Sequence, residues 1–358
     1  MNIAVIAPVI RKISLDNSYG GIERIIISLV IGAADKGDNV TLYAPFGTDL
    51  KHKNLKIIFT TRQDVYGKPE LIEQAEKKLF KKLVKDQEQF DMIHSHIEPA
   101  IAENGKFNYF SYLFVPTVVT FHNQTYIDEN INYYKNHQDL HQLHYVFISE
   151  NQAKPLYFLP NQTVIYNGID LKKFDFNPKP NPNQLAFLGR IAPEKGIIQA
   201  IDIAKITKKI LLIGAATDKV QTNFFDDNVS PRLDNQITYL GEVNDKEKNK
   251  LLGSSTALLF PIQWQEPFGL VVVESLATGT PVIASNLGSM SEIIENGKNG
   301  FIIDQPDNIP MYVNAVNKIG SLDRKYCRKS IEKRFNSKTM LDNYLKLYSS
   351  LIKNNKLF

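Results

Sequence analysis

Two glutamates, Glu266 and Glu274, frame the stretch EPFGLVVVE, and paired carboxylates can accept hydrogen bonds from the hydroxyl groups of a ligand. The stretch follows an apolar, strand-like run, TALLFP (256–261), and its own apolar residues predict a helix that ends near Gly279. A helix start leaves backbone N–H groups unpaired and carries the positive end of the helix dipole, so it suits an anion such as a phosphate. Glu266 is expected at the mouth of this helix. Glu274 lies eight residues further, slightly over two turns, which places both carboxylates on roughly one face. Hydroxyl acceptors around an anion site describe a ligand with sugar hydroxyls at both ends, as in a nucleotide-diphosphate sugar. Taken alone, two glutamates at helical spacing would read as solvated surface.

The surroundings add more. The segment continues through SLATGTPVIASNLGSMSEII, where a Gly279–Pro281 stop leads into a second short strand. In this extended form it resembles the retaining family 4 glycosyltransferases, whose signature is a Glu, seven residues and a Glu within EPFGL…E…GTPVIA. The resemblance covers most of the chain. Its IAPEKG, GEVNDKEKNKLLGSSTALLFPI and EPFGLVVVESLATGTPVIA segments look most like the avilamycin-type subgroup and members that build bacterial surface glycans.

The resemblance implies a role for each matching residue. Glu274 would accept from the ribose hydroxyls and Glu266 would face the donor sugar. Arg190 and Lys195, in GRIAPEKG (189–196) with Gly189, would neutralise the donor diphosphate. Backbone N–H groups of Phe268, Gly269 and Leu270 would meet sugar or phosphate oxygens. Gly20 and Gly21 open the segment GGIER, similar to the family's GG-x-E-R, and would contribute to donor binding by letting phosphate approach the helix start closely. Asn167, in VIYNGID, counts with the donor-binding residues and is expected to shape the domain junction beside the nucleotide through an Asx-type turn, with a positive φ at Gly168. His122 would sit beside the donor sugar and His96 on the acceptor side, with Glu266, His122, Arg190 and Lys195 forming the catalytic set. His137, His141 and His144 lack an acidic shell and predict no metal site, and Ser149 is a further contact candidate. No Asp-x-Asp motif, the metal–diphosphate clamp of the other main glycosyltransferase fold, occurs in the chain. The expectation is therefore no cofactor and no metal, with the nucleotide sugar as co-substrate.

Elements that could hold these residues alternate along the chain as apolar strands and amphipathic helices, which argues α/β with parallel sheets. Strands are predicted over 2–7, 39–44, 55–60, 91–95, 116–121, 145–149 and 163–166, with helices over 22–36 and 69–87. The segment DLKKFDFNPKPNPNQ (170–184) reads as a linker, after which the alternation restarts. The resulting expectation is two doubly wound Rossmann-like domains facing across a cleft, the GT-B fold. Residues 1–170 would bind the acceptor and residues 171–338 the donor, with the C-terminal helix (339–355) returning to the first domain. Ligands of such sheets bind beyond the carboxyl ends of the strands.

Composition sets the outer bounds. The 358 residues are 43% hydrophobic and 22% charged, long enough for two cores, with a net charge of +4. A single cysteine, Cys327, excludes an intramolecular disulfide framework and a cysteine-rich zinc site. The short apolar run at Ile3–Ile10 reads as a buried first strand and not a signal peptide, so a cytoplasmic location is expected. Peripheral contact with the inner membrane face is an open alternative through the lysine-rich 69–87 helix, which otherwise packs on its own sheet. The basic stretch 318–338 reads as a solvated helix face, with no nucleic-acid partner. The expected function is transfer of a sugar from a nucleotide-diphosphate sugar to a glycan, lipid-linked or small-molecule acceptor, in bacterial surface polysaccharide or related synthesis. The alternative is a non-catalytic sugar-nucleotide or glycan-binding protein on the same fold. A nicotinamide enzyme is disfavoured because no G-x-G-x-x-G follows the first strand.

Overall fold

The computed structural model describes residues 1–15, 20–63, 65–99, 109–137, 140, 143–216 and 222–355. The chain divides into two compact units, one of Met1–Gly168 with Ser337–Phe358 and one of Ile169–Asn336.

The first unit carries strands β1 (Asn2–Ile6), β2 (Asn39–Ala44), β3 (Leu55–Phe59), β4 (Met92–Ser95), β5 (Thr117–Thr120), β6 (Leu143–Phe147) and β7 (Gln162–Val164). They form one sheet in the order β3-β2-β1-β4-β5-β6-β7, and every pairing is parallel. Its helices are α1 (Gly21–Asp35), α2 (Pro69–Asp86), α3 (Asp128–Asn136) and α4 (Glu150–Ala153). Strands covered on both faces must be apolar nearly throughout, and β1, β4 and β5 are buried almost end to end. Helix α1 buries Ile25, Ile26, Leu29, Val30, Ala33 and Ala34, one stripe at helical spacing. Helix α2 likewise commits Ala75, Leu79, Phe80 and Leu83 to the core, so the apolar stripe that could have met a membrane is already covered.

The second unit repeats the plan with β8 (Asn181–Arg190), β9 (Ile210–Ala216), β10 (Ile237–Gly241), β11 (Ser255–Phe260), β12 (Val282–Ser285) and β13 (Gly300–Ile303). The sheet order is β10-β9-β8-β11-β12-β13, again all parallel. Around it lie α5 (Ile197–Thr207), α6 (Thr222–Phe224), α7 (Asp245–Ser254), α8 (Leu270–Ala277), α9 (Met290–Ile293), α10 (Ile309–Lys318) and α11 (Arg324–Glu332). Phe187, Ile213, Leu259, Ile283 and Tyr312 meet in its core.

The stretch read as a linker is more ordered than its Asn and Pro content suggested. Strand β8 already starts at Asn181, paired to Ser255. Upstream, the Arg328 guanidinium donates to the carbonyls of Leu171 and Phe174, and Arg324 donates to that of Asn177. Two arginines of the basic 318–338 stretch are thereby used internally, while Lys318, Lys325, Lys329, Lys333, Arg334 and Lys338 are exposed and Ile319, Ile331 and Phe335 are buried beside them.

After Asn336 the chain rejoins the first unit as α12 (Ser337–Asn355). It buries Met340, Leu341, Tyr344 and Tyr348. A Cβ at Gly32 would fall 2.6 Å from a methyl of Leu341, so α1 and α12 touch where α1 has no side chain. Lys36 and Asp342 pair beside that contact at 2.5 Å.

Candidate functional site

In the second unit the strand order reverses between β8 and β11, the switch point where open α/β sheets bind ligands. Two loops leave the sheet there, one after Arg190 and one after Phe260, and they are knit together. The Gln263 N–H donates to the Glu194 carbonyl at 2.8 Å. Gly196 has φ 73°, and a Cβ there would lie 1.9 Å from the Pro261 carbonyl oxygen, so only glycine allows the approach.

This contact brings Lys195 to Glu266. The Lys195 Nζ lies 2.7 Å from Glu266 Oε2, with each side chain 13% exposed. The indole N–H of Trp264 donates to the same oxygen at 3.1 Å, and the Lys195 ammonium stands 4.3 Å from the Trp264 ring centre. Arg190 ends β8 beside Gly189 and pairs with Glu194 at 3.2 Å.

Glu266 is not part of the helix, which corrects the expectation that both glutamates share a helix face. Helix α8 begins at Leu270 because Gly269, at φ 84°, turns the chain into it. The Glu266 backbone is fixed by another route. The Ser289 N–H donates to its carbonyl at 3.0 Å, and Gly288 lies so close that a Cβ there would sit 2.1 Å from that oxygen. Phe268 is buried edge-on to Phe335, which leaves only its backbone available to a ligand. The Phe268 carbonyl accepts from Ser289 Oγ at 2.7 Å.

Glu274 sits on α8 and is buried against Lys248 of α7, with 2.5 Å between Oε1 and Nζ. The two glutamates are thus handled alike. One oxygen of each meets a lysine, and the other, Glu266 Oε1 or Glu274 Oε2, receives no hydrogen bond from any described residue.

In the first unit the switch point lies between β1 and β4. Gly20, at φ 139°, starts α1 and is followed by Gly21, while Tyr19 lies outside the described residues. Beyond β4 and β5 the side chains form two layers. In the deeper one His94 Nε2 contacts Thr120 Oγ1 at 2.7 Å, Tyr348 OH contacts His94 Nδ1 at 2.5 Å, and Tyr344 OH contacts Thr120 at 2.9 Å. In the outer layer His96 Nδ1 and His122 Nε2 are 2.8 Å apart.

Burial pushes His94 and His122 down to about 3 and His96 well below its usual value, so all three are neutral imidazoles at pH 7. His96 Nε2 is buried without a partner among the described residues. An unmatched lone pair costs less than an unmatched N–H, so His96 Nδ1–H is the donor and His122 keeps its proton on Nδ1. Glu98 Oε1 accepts from the backbone N–H groups of His122 and Asn123 and from the Asn123 amide. Burial raises this carboxyl to about 7.

The junction turn differs from expectation. Gly168 stays out of the left-handed region, and its N–H meets Met340 Sδ at 3.2 Å. Asn167 is buried with an Oδ1 that has no partner among the described residues, so that oxygen makes no Asx bond. Ser149 caps α4 through Gln152 N. His137 and His144 are occupied separately by the Tyr133 carbonyl and Thr163, while His141 lies outside the described residues. Among the described residues no group of His, Cys, Asp and Glu could hold a metal.

Residues 169–336 match the family described as Glycosyl transferases group 1, and residues 19–173 match Glycosyltransferase Family 4. The chain is of the group 1/family 4 glycosyltransferase type. Spore coat protein SA of Bacillus subtilis is 27% identical over 51% of this chain and 57% of its own length. The Escherichia coli UDP-Gal:alpha-D-GlcNAc-diphosphoundecaprenol alpha-1,3-galactosyltransferase is 26% identical over 56% of this chain and 57% of its own length. The chain therefore spans little more than half the length of these curated relatives. The structure of Anabaena HepE in complex with UDP and glucose superimposes with a TM-score of 0.76, covering 98% of this chain and all of that one at 18% identity. That likeness concerns the fold, GT-B.

Against this glycosyltransferase background, sequence reasoning missed Trp264, Lys248, Glu98 and Gly288. Trp264 carried a usable signal, being the single tryptophan of the chain and two residues before Glu266. Lys248 carried none, since it lies in the charged run DKEKNK and its partner is 26 positions away. No described helix is long and apolar enough to cross a membrane.

Proposed function

We propose that this protein is a retaining glycosyltransferase that moves a sugar from a nucleotide-diphosphate sugar to a glycan, lipid-linked or small-molecule acceptor. The observation that carries the reading is the Lys195–Glu266 pair at the switch point of the second unit, a cation and a hydroxyl acceptor on neighbouring strand ends. An ammonium has three N–H donors and Glu266 takes one, which leaves two for diphosphate oxygens. Arg190 supplies a second cation, and the start of α8 adds backbone N–H groups. The free oxygens of Glu266 and Glu274 would accept from the sugar and ribose hydroxyls respectively. In the transfer, the bond from the anomeric carbon to the phosphate oxygen breaks and one to the acceptor oxygen forms on the same face. The acceptor proton passes to the departing phosphate. Charge on that phosphate is stabilised by Arg190 and Lys195.

Two cations and a helix start match the diphosphate charge without a divalent ion, and the chain lacks Asp-x-Asp, so turnover is expected to persist in EDTA. The galactosyltransferase relative, named for a diphosphoundecaprenol-linked substrate, supports a lipid-linked acceptor. The test is incubation of the protein with UDP-glucose and other nucleotide sugars in EDTA, with lipid-linked and soluble glycan acceptors. Glycosylated product with the anomeric configuration of the donor supports the reading. Binding without transfer to any acceptor favours the non-catalytic alternative. Loss in EDTA with rescue by a divalent ion contradicts the metal-free account.

A further inference from the structure

The indole of Trp264 lies within reach of both charged groups of the pair and does different things to each. Its N–H donates to Glu266 Oε2 at 3.1 Å, the oxygen that Lys195 also holds at 2.7 Å. Its ring face lies 4.3 Å from the Lys195 ammonium. Two donors converging on one carboxylate oxygen fix the rotation of the carboxylate, and Oε1 has no donor among the described residues. A lysine alone could not do this, because an ammonium on a flexible stem follows whichever oxygen approaches it. The backbone on either side is equally constrained: Gln263 is bonded to Glu194, Gln265 Oε1 accepts from Gly288 N–H at 2.7 Å, and Glu266 is held by Ser289.

We propose that Trp264 is a positioning residue that selects which oxygen of Glu266 meets the donor sugar. This rests on the donor-site reading above. Removing the indole N–H lets the carboxylate rotate while leaving diphosphate and ribose contacts in place. The loss should therefore appear only with ligands that carry the sugar.

The experiment compares wild type, Trp264→Phe and Trp264→His, with folding checked by circular dichroism. Calorimetry measures UDP against UDP-glucose, and GDP or ADP with their sugar conjugates if those are the pair that wild type binds. For Trp264→Phe the expected result is nucleoside diphosphate affinity within twofold of wild type, loss of the extra affinity given by the sugar, and kcat at least tenfold lower. Trp264→His, which returns a ring N–H, should recover part of both. A Trp264→Phe protein that distinguishes conjugate from diphosphate as wild type does, at an unchanged kcat, overturns the positioning role and leaves the donor site standing. A wild type that binds no member of the panel overturns the donor site, and this inference with it.

Discussion

At the level of single residues, each glutamate of the EPFGLVVVE stretch has one oxygen occupied by a lysine and the other without a donor among the described residues. That arrangement gives different consequences for the two lysines. Lys248 and Glu274 are only 8% and 6% exposed, and Glu274 depends on Lys248 for compensation, while Lys248 has a second, more distant carboxylate in Asp245 at 3.6 Å. Removing one member of a buried pair costs about 3–5 kcal/mol because the remaining charge is left uncompensated. Lys248→Met should therefore lower unfolding stability in urea by about 3 kcal/mol. Adding Glu274→Gln should restore most of it, and equal stability of Lys248→Met and wild type would show that the pair is not buried in solution. Glu274→Ala should in addition weaken nucleoside diphosphate binding, and unchanged affinity by calorimetry would remove Glu274 from the ribose site. Lys195 is expected to act on the reaction. Lys195→Ala should cut turnover at least ~10-fold, or ~1.4 kcal/mol of transition-state stabilisation. A rate near wild type would place the diphosphate elsewhere.

Between elements, the decisive contact is the one between the loops after β8 and β11, made possible by Gly196. Gly196→Ala would force a Cβ to 1.9 Å from the Pro261 carbonyl at a φ of 73°, so the loops must part. A drop in melting temperature together with loss of donor binding is expected. Retention of both would mean that the loops need not touch to form the site. This close approach was not legible in GRIAPEKG, although the charged residues beside it were, because a turn glycine gives no hint of which backbone it meets. Strands and helices were easier to read. Parallel strands buried on both faces leave continuous apolar runs such as NVTLYA, and α1 and α12 show one apolar stripe each. Legibility failed where a single glycine changes direction. Gly269 starts α8 later than the pattern EPFGL suggested and leaves Glu266 in the loop. It failed again at NPN (181–183), where turn-like residues form the first part of a central strand. The histidine layers were half visible: His96 and His122 stood at predicted strand ends, but the tyrosines of α12 that hold the deeper layer are more than 220 positions away in the chain.

For the molecule as a whole, acid should act on the first unit, which holds all the strongly shifted histidines. His94 and His122 are pushed down to about 3 and His144 to about 4, each by burial. A depressed histidine favours the folded state above the unfolded value near ~6.5, and that stability is lost as pH falls below it. Glu98, raised to about 7, and Glu23, also raised by burial, work in the opposite sense above their unfolded values, but they are two carboxyls against four depressed histidines. The melting temperature should therefore decline from pH 6.5 to pH 4, and His94→Gln should flatten the slope. A melting temperature that is level over that range would contradict the buried neutral histidines. The nucleotide-sugar site proposed for the second unit rests on Lys195, Glu266 and Glu274. Its most direct test is thermal unfolding of wild type and Lys195→Ala in EDTA against nucleoside diphosphates and their sugar conjugates. A ligand at 100 times its Kd adds about 2.7 kcal/mol to the folded state. The expected result is a selective rise with one base in wild type that is lost in Lys195→Ala; no rise across the panel, or an equal rise in both proteins, would contradict it.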